Sequence, residues 1–295
     1  MACDCRIAEE VIATYRAAAE IQRRSSVRKG NLVELPLTSG ADLFVTADLH
    51  GDRVNFDRIL ELADLENHPL RHLVLQEACH GGPTYPGGSG CMSHLLLEDC
   101  AALVTRYPGR VHYLLSNHEL AEITDFAICK GNRMLNVAFR AGMSQIYGNA
   151  ADEVRAAMAE FLKSCPLGVR FGERVLLTHS FPERLDATGD SFDWSVFERE
   201  LRSEDLGPDG AVFRLVWGRD FRPANAAAFA KHMRADVLLN GHEPAASGFH
   251  LPNSTQVVID SCHEQGCYVL LPLDRRLTHA DVVAHVRSLC ASEKA

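Results

Sequence analysis

A chain of 295 residues, 46% of them hydrophobic, can bury a large core, and it has no apolar run near the ~20 residues that a membrane span requires. Its formal charge of -9 argues against a general affinity for nucleic acid or anionic membrane, both of which depend on basic surface. The opening Met1-Ala2-Cys3-Asp4-Cys5-Arg6 lacks a basic start followed by an apolar stretch, so no secretory segment is expected and the protein is placed in the cytoplasm.

Apolar residues at Ile7, Val11, Ile12, Tyr15, Ala18 and Ala19, continued by Gln22, recur at a period close to 3.6 and predict an amphipathic helix over 7–24. Residues 32–37 and 43–47 read as strands separated by a turn at Thr38-Ser39-Gly40-Ala41. A helix over 53–65, a strand over 72–76, a helix over 93–106 and a strand over 111–115 follow, an alternation that predicts parallel βαβ units. Residues 150–163 carry a strong helix pattern, with Asn149 as cap and Asp152 and Glu153 in the first turn, where the helix dipole favours anions. Segments 169–171 and 174–178 around Gly172-Glu173 predict a hairpin. A helix over 223–234 and strands over 237–240, 256–260 and 267–271 complete the pattern, before a last helix over 280–289 that Thr278 and Asp281 open as a capping box. No repeat, low-complexity tract or linker divides the chain. One domain over 1–295 is expected, with a helical extension at about 1–30.

Four short segments at the ends of apolar runs carry ligand chemistry: Ala47-Asp48-Leu49-His50-Gly51-Asp52, Ser116-Asn117-His118-Glu119, Thr178-His179-Ser180 and Asn240-Gly241-His242-Glu243. Each places oxygen or imidazole ligands where a predicted strand gives way to a loop. Carboxylate, imidazole and amide oxygen together suit Mn, Fe or Zn, and two such ions a few ångströms apart form a clamp for phosphoryl transfer.

The run from Ala47 to Asp52 resembles the GDxHG opening of the phosphoprotein phosphatase (serine/threonine phosphatase) branch of the calcineurin-like metallophosphoesterases. Tyr107-Pro108-Gly109-Arg110-Val111-His112-Tyr113-Leu114-Leu115-Ser116-Asn117-His118-Glu119 resembles its YPxRVHLLRGNHE segment. Phe161-Leu162-Lys163-Ser164-Cys165-Pro166-Leu167 with Leu176-Leu177-Thr178-His179-Ser180 is similar to its PL and HGG stretch, and Gly241-His242 with Gly248 matches its last ligand loop. The resemblance spans roughly residues 40–272 in the family's order. It implies an α/β/β/α sandwich of two mixed sheets and a dinuclear metal site. The family pattern puts Asp48 and His50 on the first metal and Asn117, His179 and His242 on the second.

A bridging carboxylate should join the two ions. The family's GDxVDRG motif is degenerate here, reading Gln76-Glu77-Ala78-Cys79-His80-Gly81-Gly82, so Glu77 takes the bridging position with one methylene more than Asp. His80 and Gly81 stand where the family has the Asp that orients the catalytic histidine and the Arg that grips phosphate. Pro244 occupies the place of the second His of the GHxH pattern common among broader metallophosphoesterases, which favours the phosphatase branch. By the resemblance His118 protonates the leaving alkoxide, and Arg219 and Arg222 lie in the region of the family's other phosphate-binding arginine, a role that suits a planar guanidinium. Glu98, Asp99 or Asp125 could replace the missing orienter, although Glu98-Asp99 reads first as a solvated helix face.

The Gly-rich run 81–90 follows the bridging position and reads either as a lid or phosphate-approaching loop or as a flexible connection. Ten cysteines, at 3, 5, 79, 91, 100, 129, 165, 262, 267 and 290, occur in a chain too large to need disulfide staples, so most are expected as buried thiols. Cys3-Asp4-Cys5 lacks zinc-finger spacing, and Cys79 and Cys262, beside ligand loops, could be oxidation-sensitive without being catalytic. His72, His94, His112, His232, His250, His263, His279 and His285 have no ligand spacing.

The resemblance therefore implies a phosphohydrolase with two divalent ions (Mn, Fe or Zn) that removes phosphate from phosphoserine, phosphothreonine or other phosphomonoesters through a metal-bridging hydroxide. Its partners would be a phosphorylated protein or a small phosphoester, with no nucleic acid and no membrane. Two alternatives remain open: a diadenosine polyphosphate hydrolase, and a non-catalytic pseudophosphatase that binds metal or a partner.

Overall fold

The computed structural model describes residues 7–88, 90–172 and 174–290. Helix α1 (Ala8–Arg24) precedes β1 (Arg28–Lys29), β2 (Leu32–Leu35) and β3 (Asp42–Asp48). Two βαβ crossovers follow, through α2 (Arg53–Ala63) to β4 (Arg71–Gln76) and through α3 (Ser93–Arg106) to β5 (Val111–Leu114). Next come α4 (Asn117–Thr124), the small hairpin β6 (Cys129–Lys130) and β7 (Arg133–Met134), and the helices α5 (Leu135–Tyr147) and α6 (Ala151–Ser164). The second half holds β8 (Gly168–Phe171), β9 (Val175–Thr178), α7 (Ser203–Leu206), α8 (Ala211–Trp217), α9 (Pro223–His232), β10 (Val237–Asn240), β11 (Phe249–His250), β12 (Gln256–Ile259), β13 (Cys267–Pro272), α10 (His279–Ala284) and β14 (Val286–Ser288).

The strands form a seven-stranded sheet, β1-β2-β8-β9-β10-β12-β11, and a five-stranded sheet, β14-β13-β3-β4-β5. Side-chain alternation along each strand explains how the two sheets stack. On β3, Leu43, Val45 and Ala47 join the layer between the sheets, and Phe44 belongs to the outer cluster with the helices. The same split puts Val74 inside and Leu73 and Leu75 outside on β4, and Val175 and Leu177 inside and Leu176 outside on β9. Strands buried on both faces read as continuous apolar runs, which is why the ligand-bearing ends stood out in the sequence. This is the α/β/β/α sandwich of two mixed sheets that the resemblance implied.

Strands β3, β4 and β5 run parallel, as do β9, β10 and β12, and the expected hairpin appears as antiparallel β8 and β9. Helix α1 buries Val11, Tyr15, Ala18 and Ala19 in the outer cluster, and its Gln22 amide donates to Ser164 Oγ of α6 at 3.2 Å. Thr278 and Asp281 form the expected capping box of α10. Among the described residues no helix is long and apolar enough to cross a membrane.

Three local expectations fail. Asn149 caps nothing: residues 148–150 form a 3-10 turn that runs into α6, whose N-cap is Ala150. The last helix stops at Ala284 instead of running to residue 289, because residues 286–288 pair antiparallel with β13 and complete the five-stranded sheet. Strand β2 ends at Leu35, where Pro36 removes the next N–H from the ladder. Buried thiols occur at Cys79, Cys91, Cys100, Cys165 and Cys267, whereas Cys129 and Cys290 are exposed and Cys262 is intermediate. Cys3 and Cys5 lie outside the described residues.

Candidate metal centre

Asp48 ends β3, Glu77 follows β4, Asn117 opens α4 beyond β5, His179 follows β9 and His242 lies just past β10. All sit at the carboxyl ends of parallel strands, the edge at which open α/β sheets assemble their sites. His50, Glu77, His80 and His242 have positive φ of 44°, 50°, 65° and 70°, a conformation that non-glycine residues keep only where the surroundings impose it.

The structure brings His50 and His118 against Glu77 in one group and Asn117, His179 and His242 in a second that shares Glu77, with Asp48 beside the second, its Oδ1 3.8 Å from His179 Nδ1. In the first, His50 Nε2 lies 3.2 Å from Glu77 Oε1, and His50 Nδ1 faces the main-chain oxygens of Cys79 (3.3 Å) and His80 (3.1 Å). Asp48 Oδ1 accepts the amide of His242 at 2.9 Å. A side chain on Gly241 would collide with that oxygen, since its Cβ would stand 2.5 Å away. In the second group, His179 Nε2 is 2.7 Å from both Asn117 Oδ1 and Glu77 Oε2 and 3.2 Å from His242 Nδ1.

Proton bookkeeping shows what this second group lacks. The Gln76 amide nitrogen donates to Thr46 O at 3.0 Å, so its Oε1 faces His179 Nδ1 at 2.9 Å and can only accept. His179 therefore carries its proton on Nδ1 and points a bare Nε2 inward. Glu77 Oε2 is buried with no hydrogen-bond donor, its short contact with His179 Nε2 not lying along an N–H direction. Three lone-pair atoms, from Glu77, Asn117 and His179, thus converge where none of them can donate. A cation satisfies such a set, and a neutral His179 held by an outer acceptor is the usual arrangement of an imidazole ligand.

Electrostatics agree. Burial, then the charge of Glu77, pushes Asp48 up to about 7, and burial pushes Glu77 up to about 7. Burial also lowers His179, and it lowers His118 and His242 strongly, so the imidazoles are neutral. Two buried carboxylates among neutral imidazoles form an environment that a divalent cation offsets.

His118 turns its Nε2 toward the same centre, 3.7 Å from Glu77 Oε1. Its other nitrogen, Nδ1, lies 2.9 Å from His80 Nδ1, and His80 Nε2 lies 2.8 Å from Glu122 Oε1. Glu122 had escaped the sequence reading because 117–124 was not recognised as a helix; it stands one helical turn beyond His118 and so shares its face. Glu98, Asp99 and Asp125 do not reach His118. Glu98 is buried against His94 at 2.9 Å instead of being solvated, Asp99 pairs with Arg53, and Asp125 pairs with Arg140 and Arg155. Glu119 is equally buried and accepts from the Cys79 amide (2.9 Å), the Tyr113 hydroxyl (2.8 Å) and the Ser116 hydroxyl, bracing the loop that carries Glu77.

Gly81 has φ +117°, and a Cβ there would stand 2.6 Å from the His50 carbonyl oxygen, so no side chain fits where the family carries its arginine. The described residues of the rest of the Gly-rich run are pinned: Thr84 bridges Cys91, the Tyr85 amide donates to Gly90 O at 3.0 Å, and the Tyr85 hydroxyl lies 2.9 Å from His94 Nε2. Arg219 pairs with Glu243, the residue after His242, whereas Arg222 is held by Asp186 (2.9 Å) and Asp220 (2.6 Å). Both arginines line an open groove of about 480 Å³ with Glu183, Arg184 and Asp186. Burial raises Cys79 strongly and Cys262 to about 12, which leaves neither sulfur as a thiolate.

A serine/threonine phosphatase from Saccharomyces cerevisiae superposes with a TM-score of 0.70 at 16% identity, over 98% of this chain and 92% of that one. A cold-active protein-tyrosine phosphatase from a psychrophilic Shewanella gives 0.57 at 14% identity, over 92% and 84%. These likenesses show that the chain shares its fold with those phosphatases. No protein-family profile matches the chain. In sequence, methionine aminopeptidase 2-2 of Talaromyces stipitatus is 26% identical over 165 residues, 56% of this chain, and the chain spans about a third (31%) of that relative.

Proposed function

We propose that the protein is a two-metal phosphohydrolase acting on phosphomonoesters, with phosphoserine and phosphothreonine in proteins as the leading substrate class. The observation that carries this reading is the convergence of Glu77, Asn117, His179 and His242 on one point, with Glu77 shared with His50. Divalent cations such as Mn, Fe or Zn held by these six residues would supply Lewis acidity toward phosphoryl oxygens and a water acidified to near neutrality.

The chain's own residues supply the remainder. His118 presents Nε2 to the shared centre, where it can take up a proton from the attacking water and hand it on to a departing alkoxide. Arg219, at the rim beside His242, is placed to exchange Glu243 for a phosphoryl oxygen, and its fork suits two such oxygens. The open groove beyond it leaves room for a peptide on either side of a phosphorylated residue.

Gly81 favours a second reading, a pseudophosphatase that binds metal without turnover, because one phosphate-gripping side chain is sterically excluded. Hydrolysis of alkyl and aryl phosphates by Mn-loaded protein separates the two. Turnover that falls about 10²–10⁴-fold on the alkyl ester in His118→Asn, with metal retained, supports the enzyme. No hydrolysis of either ester by metal-loaded protein leaves the pseudophosphatase.

A further inference from the structure

The side chain behind His118 is another histidine, with a carboxylate one ring further back. His80 and Glu122 are fully buried, and the three groups form one line from Glu122 Oε1 to His80 Nε2 (2.8 Å) and from His80 Nδ1 to His118 Nδ1 (2.9 Å). Glu122 is held in turn by Asn136, which donates to Oε1 at 2.8 Å, and by Arg140, which donates to Oε2 at 3.1 Å. Burial works to raise the Glu122 carboxyl, but the bonds and charges of His80 and Arg140 outweigh it and keep it below the ordinary carboxylate value. Phe139 packs edge-on against the His80 ring at 5.5 Å and limits its rotation.

We propose that His80 and Glu122 are positioning residues that fix the tautomer and ring plane of His118, so that its Nε2 lone pair faces the reacting centre. An ionised carboxylate only accepts, so His80 Nε2 carries a proton, and we assign His80 that one proton, which makes its Nδ1 the acceptor. His118 Nδ1 must be the donor across 2.9 Å, which leaves His118 Nε2 bare and directed at Glu77 and the shared centre. The imidazole at position 80 thus passes the orienting influence of Glu122 through its ring, doing at one remove what a carboxylate in direct contact would do. The role of Glu122 is orientation alone, since a ring lies between it and His118.

The inference rests on the phosphohydrolase reading for its catalytic consequence but not for its geometry, and the test keeps the two apart. Histidine-selective ¹⁵N NMR on Zn-loaded protein reads the tautomer directly: protonated Nδ1 and unprotonated Nε2 on His118 are expected, and the opposite tautomer overturns the proposal. In Glu122→Gln the negative charge is lost and the amide N–H₂ meets either the His80 and Asn136 donors or Arg140, so the preference for a proton on His80 Nε2 weakens. Turnover number on an alkyl phosphate should then fall about 10–100-fold, with KM, metal content and aryl phosphate hydrolysis nearly unchanged, because an aryl leaving group needs little protonation. Glu122→Asp should recover part of the loss. Equal losses on both esters, or an unaltered His118 tautomer in Glu122→Gln, would mean that Glu122 is merely structural. Absence of any hydrolysis by the wild type sinks the phosphohydrolase reading, while the NMR still decides the positioning.

Discussion

The main-chain oxygen of Glu77 accepts the His50 amide at 2.8 Å, and the Glu77 carboxylate meets His50 Nε2 at 3.2 Å. Two ligand loops, one after β3 and one after β4, are therefore joined twice, once through backbone and once through side chains. A shift in either loop therefore moves candidate ligands from both groups.

Two divalent ions per chain are expected through Asp48, His50, Glu77, Asn117, His179 and His242. His242→Ala should keep no more than one ion, and Glu77→Gln should weaken both, since its carboxylate is common to the two groups. Elemental analysis of unchelated protein checks this, and one ion or none in the wild type would refute the ligand assignment. Chelation should also lower the melting temperature, because a ligand present at a hundred times its Kd stabilises the native state by about 2.7 kcal/mol.

Arg219 and Arg222 should differ. Arg219 faces the ligand loop through Glu243, and losing a charge-assisted contact to phosphate should cost about 1.5–3 kcal/mol in kcat/KM for Arg219→Ala. Arg222 is committed to Asp186 and Asp220 at an exposed position, so Arg222→Ala should change kcat/KM by less than about threefold. Steady-state kinetics on both variants decides, and wild-type rates in both would place phosphate binding elsewhere.

Restoring a side chain at position 81 should harm the protein. Gly81→Ala forces a Cβ to within 2.6 Å of the His50 carbonyl at a φ of +117°, and about 1–3 kcal/mol of stability should be lost. Urea denaturation of the metal-loaded protein reads the loss. Wild-type stability in Gly81→Ala would show that the two loops can part without cost.

His112 gives a pH dependence away from the metal centre. Burial, then the neighbouring His72, lowers its imidazole from 6.5 to about 3, and His72 Nδ1 lies 3.1 Å from His112 Nε2. Between those two values the unfolded chain binds more protons than the folded one, so stability falls as pH drops through the window. His112→Phe should flatten that dependence relative to wild type. Equal slopes of unfolding free energy against pH in the two proteins would refute the assignment.

Much of the site was legible in sequence because ligands at strand ends are local: Asp48, His50, Asn117, His179 and His242 each follow an apolar run whose β character is set by its own residues. Glu77 was assigned by the resemblance, as the residue matching the family's bridging position after β4, and the sandwich was likewise what the resemblance implied. The far end of the chain was misread, since a capping box specifies where a helix begins, and pairing with β13 decides where it stops. Only the tertiary structure could place His80 between His118 and Glu122, seat Gln76 behind His179 and show that Gly81 has no space for a side chain. These relationships join residues 38 to 103 apart, or depend on how two loops pass each other, and no period or spacing in the chain encodes the distance between two backbones.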